Sequence, residues 1–198
     1  MMQKYTTLSF NGNGFDLPII TAALSGWPVS RLKQLCDEII KSNSPSWAIC
    51  RDRDLKVPSN WDHIDIMDVA PGMASLKIYG GRLNFKTIQD LPIEPSALIT
   101  PEQREGLRDY CINDLVTTYA LYKALEKQVA LRVSMSDQYG VDLRSKSDAQ
   151  IAETVIKSEL QKKTNKKYYK PDVKGDEKFK YLSPGIIDFQ TQQLKDIY

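Results

Sequence analysis

The sequence predicts an α/β fold, and three observations carry that expectation. Tyr5 to Phe10 is aromatic, β-branched and apolar, and reads as a buried strand ending at the turn that holds Gly12 and Gly14. A helix-like run, Phe15 to Leu24, follows that turn directly, with Pro18 allowed in its first turn. Further on, "HIDIMDVAP" alternates and reads as a second short strand, with helical patterns on both sides of it.

Gly26, Trp27 and Pro28 end the first helix. Val29, Leu32, Leu35, Ile39 and Ile40 fall at helical spacing, with Ser30 as the expected cap. "SPSWAICRDRDLKVPSNWD" reads as loop with one short strand over Trp47 to Cys50. "SLKIYGG" reads as a short helix closed by Gly80 and Gly81, and "FKTIQDLP" as another short piece. The strongest helix starts after Thr100, with Pro101 next and Gln103 at the capping-box position, and runs to about Glu126. Its expected inward stripe is Leu107, Tyr110, Cys111, Asp114, Leu115, Thr118, Leu121, Tyr122 and Leu125. Helix continues to Gln138, and Tyr139-Gly140 breaks it. A last amphipathic helix is capped by Ser147, with Gln150 three residues on. Residues 164–198 read as an extended tail.

With 198 residues, 41% hydrophobic content and a net charge of +2, the chain has the make-up of one ordinary domain with a tail. The overall charge does not announce nucleic acid, but it is uneven. The stretch 162–180 is lysine-rich and carries Tyr168 and Tyr169 among the lysines, a pattern suited to single-stranded nucleic acid. Cys36, Cys50 and Cys111 lack metal-ligand spacing, and their odd number suggests reduced thiols. No signal-peptide pattern and no apolar run of membrane-spanning length is present, so the expected location is cytoplasmic, without a membrane partner.

The chemistry is expected around two acidic positions. Asp114 interrupts an apolar helix face one turn after Tyr110, so a phenol and a carboxylate share that face. Asp16 stands where a strand and a glycine turn become a helix. Two carboxylates beside core positions are costly to bring together unless a cation lies between them. The expected ion is Mg²⁺ or Mn²⁺, which take hard oxygen ligands, and a two-metal arrangement suits phosphodiester cleavage. His63 reads as a surface residue, and Asp62, Asp65 and Asp68 as a solvated cluster at a strand edge.

These residues resemble a known pattern. Asn11, Phe15 and Asp16, spaced Asn-x-x-x-Phe-Asp and followed by Leu17-Pro18, look like the second exonuclease motif of family B DNA polymerases. Tyr110 and Asp114, spaced Tyr-x-x-x-Asp, look like the third. The stretch "HIDIMDVAPGMASLKIYGGRL" is similar to the strand and helix that separate those motifs, and "YGVDLRSKSDAQIAE" to phage polymerases just after the proofreading domain. The resemblance covers residues 5 to about 160.

It implies a ribonuclease-H-like (DnaQ-like) 3′→5′ exonuclease fold lacking its first strands, followed by helices and a tail. Residues 1–138 would be the partial exonuclease, 139–163 a helical connector, and 164–198 a basic linker toward the remainder of the polymerase. Asp16 and Asp114 would be metal ligands and Tyr110 would orient the attacking water. Asn11 and Phe15 would contact the last nucleotides of a single-stranded DNA 3′ end, with Asn13 beside them and Lys166, Lys167 and Tyr168 as further DNA contacts. The family's first motif, Asp-x-Glu on the opening strand, has no counterpart, since the ten residues before Asn11 include no acid. The expectation is therefore an exonuclease region inactive as this chain. The alternative is a non-catalytic remnant or subunit that binds DNA or a polymerase.

Overall fold

The computed structural model describes residues 5–169, 178, 180, 186 and 188–197. The chain divides into two units, Met1–Glu159 and Leu160–Tyr198.

The first unit is mainly helical and is organised about two short strands. Strand β1 (Thr7–Ser9) pairs in parallel with β2 (His63–Asp65). Thr7 lies opposite His63, Leu8 opposite Ile64 and Ser9 opposite Asp65. Side chains alternate across a strand, so one face of the pair carries Thr7, Ser9, His63 and Asp65, and the other Leu8 and Ile64. The apolar face belongs to the larger core, where Ile64, Ile66, Val69, Tyr79, Leu121, Leu125 and Val129 are buried together and Leu8 and Phe10 pack on them. The polar face is left to the turn that follows β1.

Helix α1 (Asp16–Leu24) and helix α2 (Val29–Lys41) form a second core with helix α3 (Ser46–Asp52). Leu35 of α2 is fully buried there, between Ala22, Ile49 and Cys50. Burying a side chain of that size contributes about 2 kcal/mol. Two expectations change here. Pro28 occupies the cap position of α2, with Ser30 inside the helix. Trp47 to Cys50 is helix rather than strand. A short apolar run has no period that separates the two, and Pro45, extended at φ −66°, ψ 144°, sets up the first turn of α3.

Helix α4 (Leu76–Arg82) starts at Ser75, whose hydroxyl accepts from the Ile78 N–H (3.4 Å). Gly80 and Gly81 lie within α4 and do not close it. A Cβ on Gly80 would stand 3.3 Å from Thr117 Cγ2, so the glycine permits α4 to approach the next long helix closely. No regular element forms over residues 85–92.

That long helix is α5 (Gln103–Ala124), and α6 (Glu126–Tyr139) follows after a break at Leu125. Half of the expected capping box at its start is present: Thr100 N–H donates to Gln103 Oε1 (3.0 Å). The buried face of α5 is Thr117, Thr118 and Leu121, while Cys111 and Leu115 of the expected stripe are exposed, Leu115 by 66%. Ile112, Val116 and Tyr119 are exposed as well. Polar and apolar residues are mixed round the helix without one sustained apolar stripe, so its period does not choose a face, and Thr117 meets Gly80 of α4 on the side that is buried.

Gly140, at φ 66°, ends α6. Helix α7 (Asp148–Thr164) begins with a full capping box: Ser147 N–H donates to Gln150 Oε1 (3.0 Å) and Gln150 N–H to Ser147 Oγ (3.4 Å). Between them Leu143 is fully buried, and the guanidinium of Arg132 donates to the carbonyls of Lys146 (3.0 Å) and Gln128 (3.2 Å).

In the second unit, Asn165 at φ 54° closes α7, and Tyr168 Oη donates to Thr164 Oγ1 (3.0 Å). Gln192–Ile197 forms a helix, α8, inside the stretch expected to be extended. Much of 170–187 lies outside the described residues.

Candidate functional site

The turn after β1 is built from the backbone outward. Asn11 sits at φ 65°, a left-handed conformation that asparagine tolerates better than most residues. Its carbonyl accepts from Gly14 (3.1 Å) and Phe15 (3.0 Å), and Gly12 C=O accepts from Leu17 (2.9 Å). This winds the chain into α1, whose first residue is Asp16, where the helix dipole favours a negative charge. Contact requires the glycine at position 12, while the close atom at position 14 is the end of the exposed Asn11 side chain. A Cβ on Gly12 would fall 2.1 Å from Ser9 Oγ, and one on Gly14 would fall 2.4 Å from Asn11 Oδ1.

Asp65 holds this turn to the sheet. Its Oδ1 accepts from Asn11 N–H (2.8 Å) and from Met67 N–H (3.1 Å), and its Oδ2 accepts from Asn13 N–H (2.9 Å). Its own N–H donates to Ser145 Oγ (2.8 Å). The residue is 5% exposed, so the expected solvated role for Asp65 is corrected: it is a buried acceptor that satisfies peptide donors. Asp68 is exposed as expected, and Asp62 is bound by Arg144 (2.6 Å).

His63 is corrected in the same way. It is buried, and its Nε2 is hydrogen-bonded to Ser9 Oγ (2.8 Å), which also accepts from Gly12 N–H (3.0 Å). Burial lowers its pKa below the ordinary 6.5, against the pull of Asp65 and Asp16, and Arg144 lowers it further. The imidazole is therefore a neutral partner of the turn.

Asp16 is exposed as a residue, yet the protein crowding its carboxyl desolvates it and raises its pKa above 3.8. The Asp16 backbone N–H opposes that push, Asp65 adds repulsion, and His63 offsets it. Asn11 and Asn13 are exposed and Phe15 is half-buried, so the turn presents two amides and a ring around this acid.

Tyr110 and Asp114 are brought together on α5. Burial, then the charge of Asp114 and the hydrogen bond to it, raise the Tyr110 phenol above its ordinary 10.0, while Lys77 lowers it. The phenol therefore stays protonated and donates to the carboxylate. Lys77 also interacts with Asp114, although its ammonium is bonded to Asp90. Asp114, Lys77, Asn113 and Thr117 border a cavity of about 10 Å³, room for one water and not for a nucleotide.

The surroundings of the two acids differ. Asp16 has Asp65 and His63 as its titratable neighbours, whereas Tyr110 has Asp114 and Lys77. Among the described residues no three His, Cys, Asp or Glu side chains are grouped to hold a metal. Asp65, the carboxylate beside Asp16, spends both oxygens on peptide N–H groups. These donors do not fit a two-metal centre. Lys166, Lys167 and Tyr168 are exposed in the second unit.

Asp65 and His63 are the residues that sequence reasoning missed. The available signal was the alternation in "HIDI", which sets both on one strand face opposite the isoleucines. Among the described residues, no helix is long and apolar enough to cross a membrane. No family model, curated protein or solved structure matches the chain.

Proposed function

We propose that this chain is the 3′→5′ exonuclease (proofreading) region of a phage-like family B DNA polymerase, working in the host cytoplasm, and that by itself it holds a single-stranded DNA 3′ end without cleaving it. The observation that carries the reading is the turn 11–16. It is clamped by Asp65 and presents Asn11, Asn13, Phe15 and Asp16 together at the start of α1. Rigid backbone with exposed amides and a ring suits the contact of terminal nucleotides, since bases stack on aromatic side chains and hydrogen-bond to amides. The protonated Tyr110 against Asp114 suits the water-orienting pair that the resemblance implies.

The reaction implied for the intact enzyme is two-metal phosphodiester hydrolysis with Mg²⁺ or Mn²⁺. The donor set described above favours the second reading for the chain alone, a non-catalytic DNA- or polymerase-binding subunit.

The test uses the full chain and a fluorescent single-stranded oligonucleotide with a free 3′ end. Binding is expected by anisotropy, weakened by Phe15→Ala, with no trimming in Mg²⁺ or Mn²⁺. Absence of binding overturns the nucleic-acid reading. Metal-dependent trimming that disappears in Asp16→Ala overturns the inactive assignment and shows that Asp16 holds metal together with ligands other than those assigned here.

A further inference from the structure

Beside the clamped turn, within the first unit, lies a cleft of about 370 Å³ bordered by Asn13, Ser59, Trp61, His63, Asp142 and Lys146. Its volume falls in the range of small-ligand sites. The chain's three tryptophans differ in their surroundings. Arg31 stands 3.6 Å from the centroid of the Trp27 ring, and Arg51 5.6 Å from that of Trp47. Trp61 has no such cation on it among the described residues, and it is the one that borders the cleft.

The charges in the cleft are unequally committed. Asp142 is held by Arg144 through two contacts, Nε to Oδ1 (2.9 Å) and Nη2 to Oδ2 (2.8 Å). Lys146, half-buried, uses its carbonyl for Arg132, and its ammonium enters no salt bridge among the described residues, although its charge helps hold the Asp142 carboxyl down. His63 is kept neutral by burial. Asn13 spends its backbone N–H on Asp65, is exposed, and borders the cleft. A ring, one ammonium and one amide at a single cleft match a base, a phosphate and a base edge.

We infer that this cleft binds one nucleotide, with the base against Trp61 and the 5′-phosphate at Lys146, next to the turn that presents Asp16. The inference rests on the proposed DNA-end function and names a pocket for one unit of that strand.

The experiment measures binding of dAMP and of adenosine to the full chain by calorimetry, with tryptophan fluorescence as the second readout. Base stacking on an aromatic ring predicts that Trp61→Leu weakens dAMP about 5- to 100-fold and removes the ligand-induced quenching. Trp61→Phe, which keeps a ring, retains most of the affinity and keeps the test valid if the leucine variant does not fold. Lys146→Gln weakens dAMP about tenfold and leaves adenosine unchanged. Equal dAMP binding by wild type and Trp61→Leu overturns the site, as does a Lys146→Gln effect that is the same for both ligands. Oligonucleotide binding that ignores both substitutions sinks the cleft and leaves the function standing. Trp61-dependent dAMP binding without oligonucleotide binding supports the cleft and sinks the function.

Discussion

Removing the Asp65 carboxylate tests whether the turn 11–16 is shaped by the sheet. Asp65→Ala deletes an acceptor that serves Asn11, Asn13 and Met67 at 2.8, 2.9 and 3.1 Å. A hydrogen bond to a charged group contributes about 1.5–3 kcal/mol. Asn11 and Asn13 are exposed, so water can reach their freed N–H groups and offset part of the loss. The expected destabilisation is about 3–4 kcal/mol, below the sum of three such bonds. Asp65→Asn should cost less, about 2 kcal/mol, because one carbonyl oxygen still accepts while an NH₂ faces a peptide donor. Urea unfolding followed by circular dichroism measures both values. Amide NMR shifts of Asn11 and Asn13 report the bonds directly, and the Asp16 pKa should fall in Asp65→Asn because a repelling charge is gone. A loss under about 1 kcal/mol for Asp65→Ala, with Asn11 and Asn13 amides unmoved, would refute the clamp.

Burial depresses the pKa of His63, so the unfolded chain takes up the proton first as pH falls below 6.5. Its contribution to stability should be complete above 6.5 and decline below it, and His63→Gln should flatten that slope in a pH series of urea melts. Gly12→Ala should destabilise by about 2 kcal/mol or more, because its Cβ would meet Ser9 Oγ at 2.1 Å and Ser9 Cβ at 2.6 Å. Gly106→Ala, in helix α5 with nothing within 4 Å of the new Cβ, should stabilise by about 0.5–1 kcal/mol, and thermal melts of the two variants should move in opposite directions. Arg132→Met should cost about 2–4 kcal/mol through the bonds to the Lys146 and Gln128 carbonyls, whereas Asp148→Ala should cost under about 1 kcal/mol, since that carboxylate is 95% exposed. Similar losses in both, by urea melts, would mean that the ion pair dominates.

Much of the local structure was legible along the chain because its causes are local. The capping box at Ser147 and Gln150, the break at Gly140 and the glycine turn into α1 each depend on a few neighbouring residues, and each is present. The spacing of Tyr110 and Asp114 set them one turn apart on α5, where they interact. Tertiary contacts decided the rest. Which face of α5 turns inward goes with Gly80 meeting Thr117, a contact between separate elements on a helix that has no single apolar stripe. Trp47 to Cys50 became helix because Ile49 and Cys50 pack with Leu35 in the second core. The burial of His63 and Asp65 required β1 to pair with β2, which set Ser9 and two peptide N–H groups of the turn against them. An acid in a strand reads as solvated until the partners that satisfy it are in place, and here those partners lie more than fifty residues away.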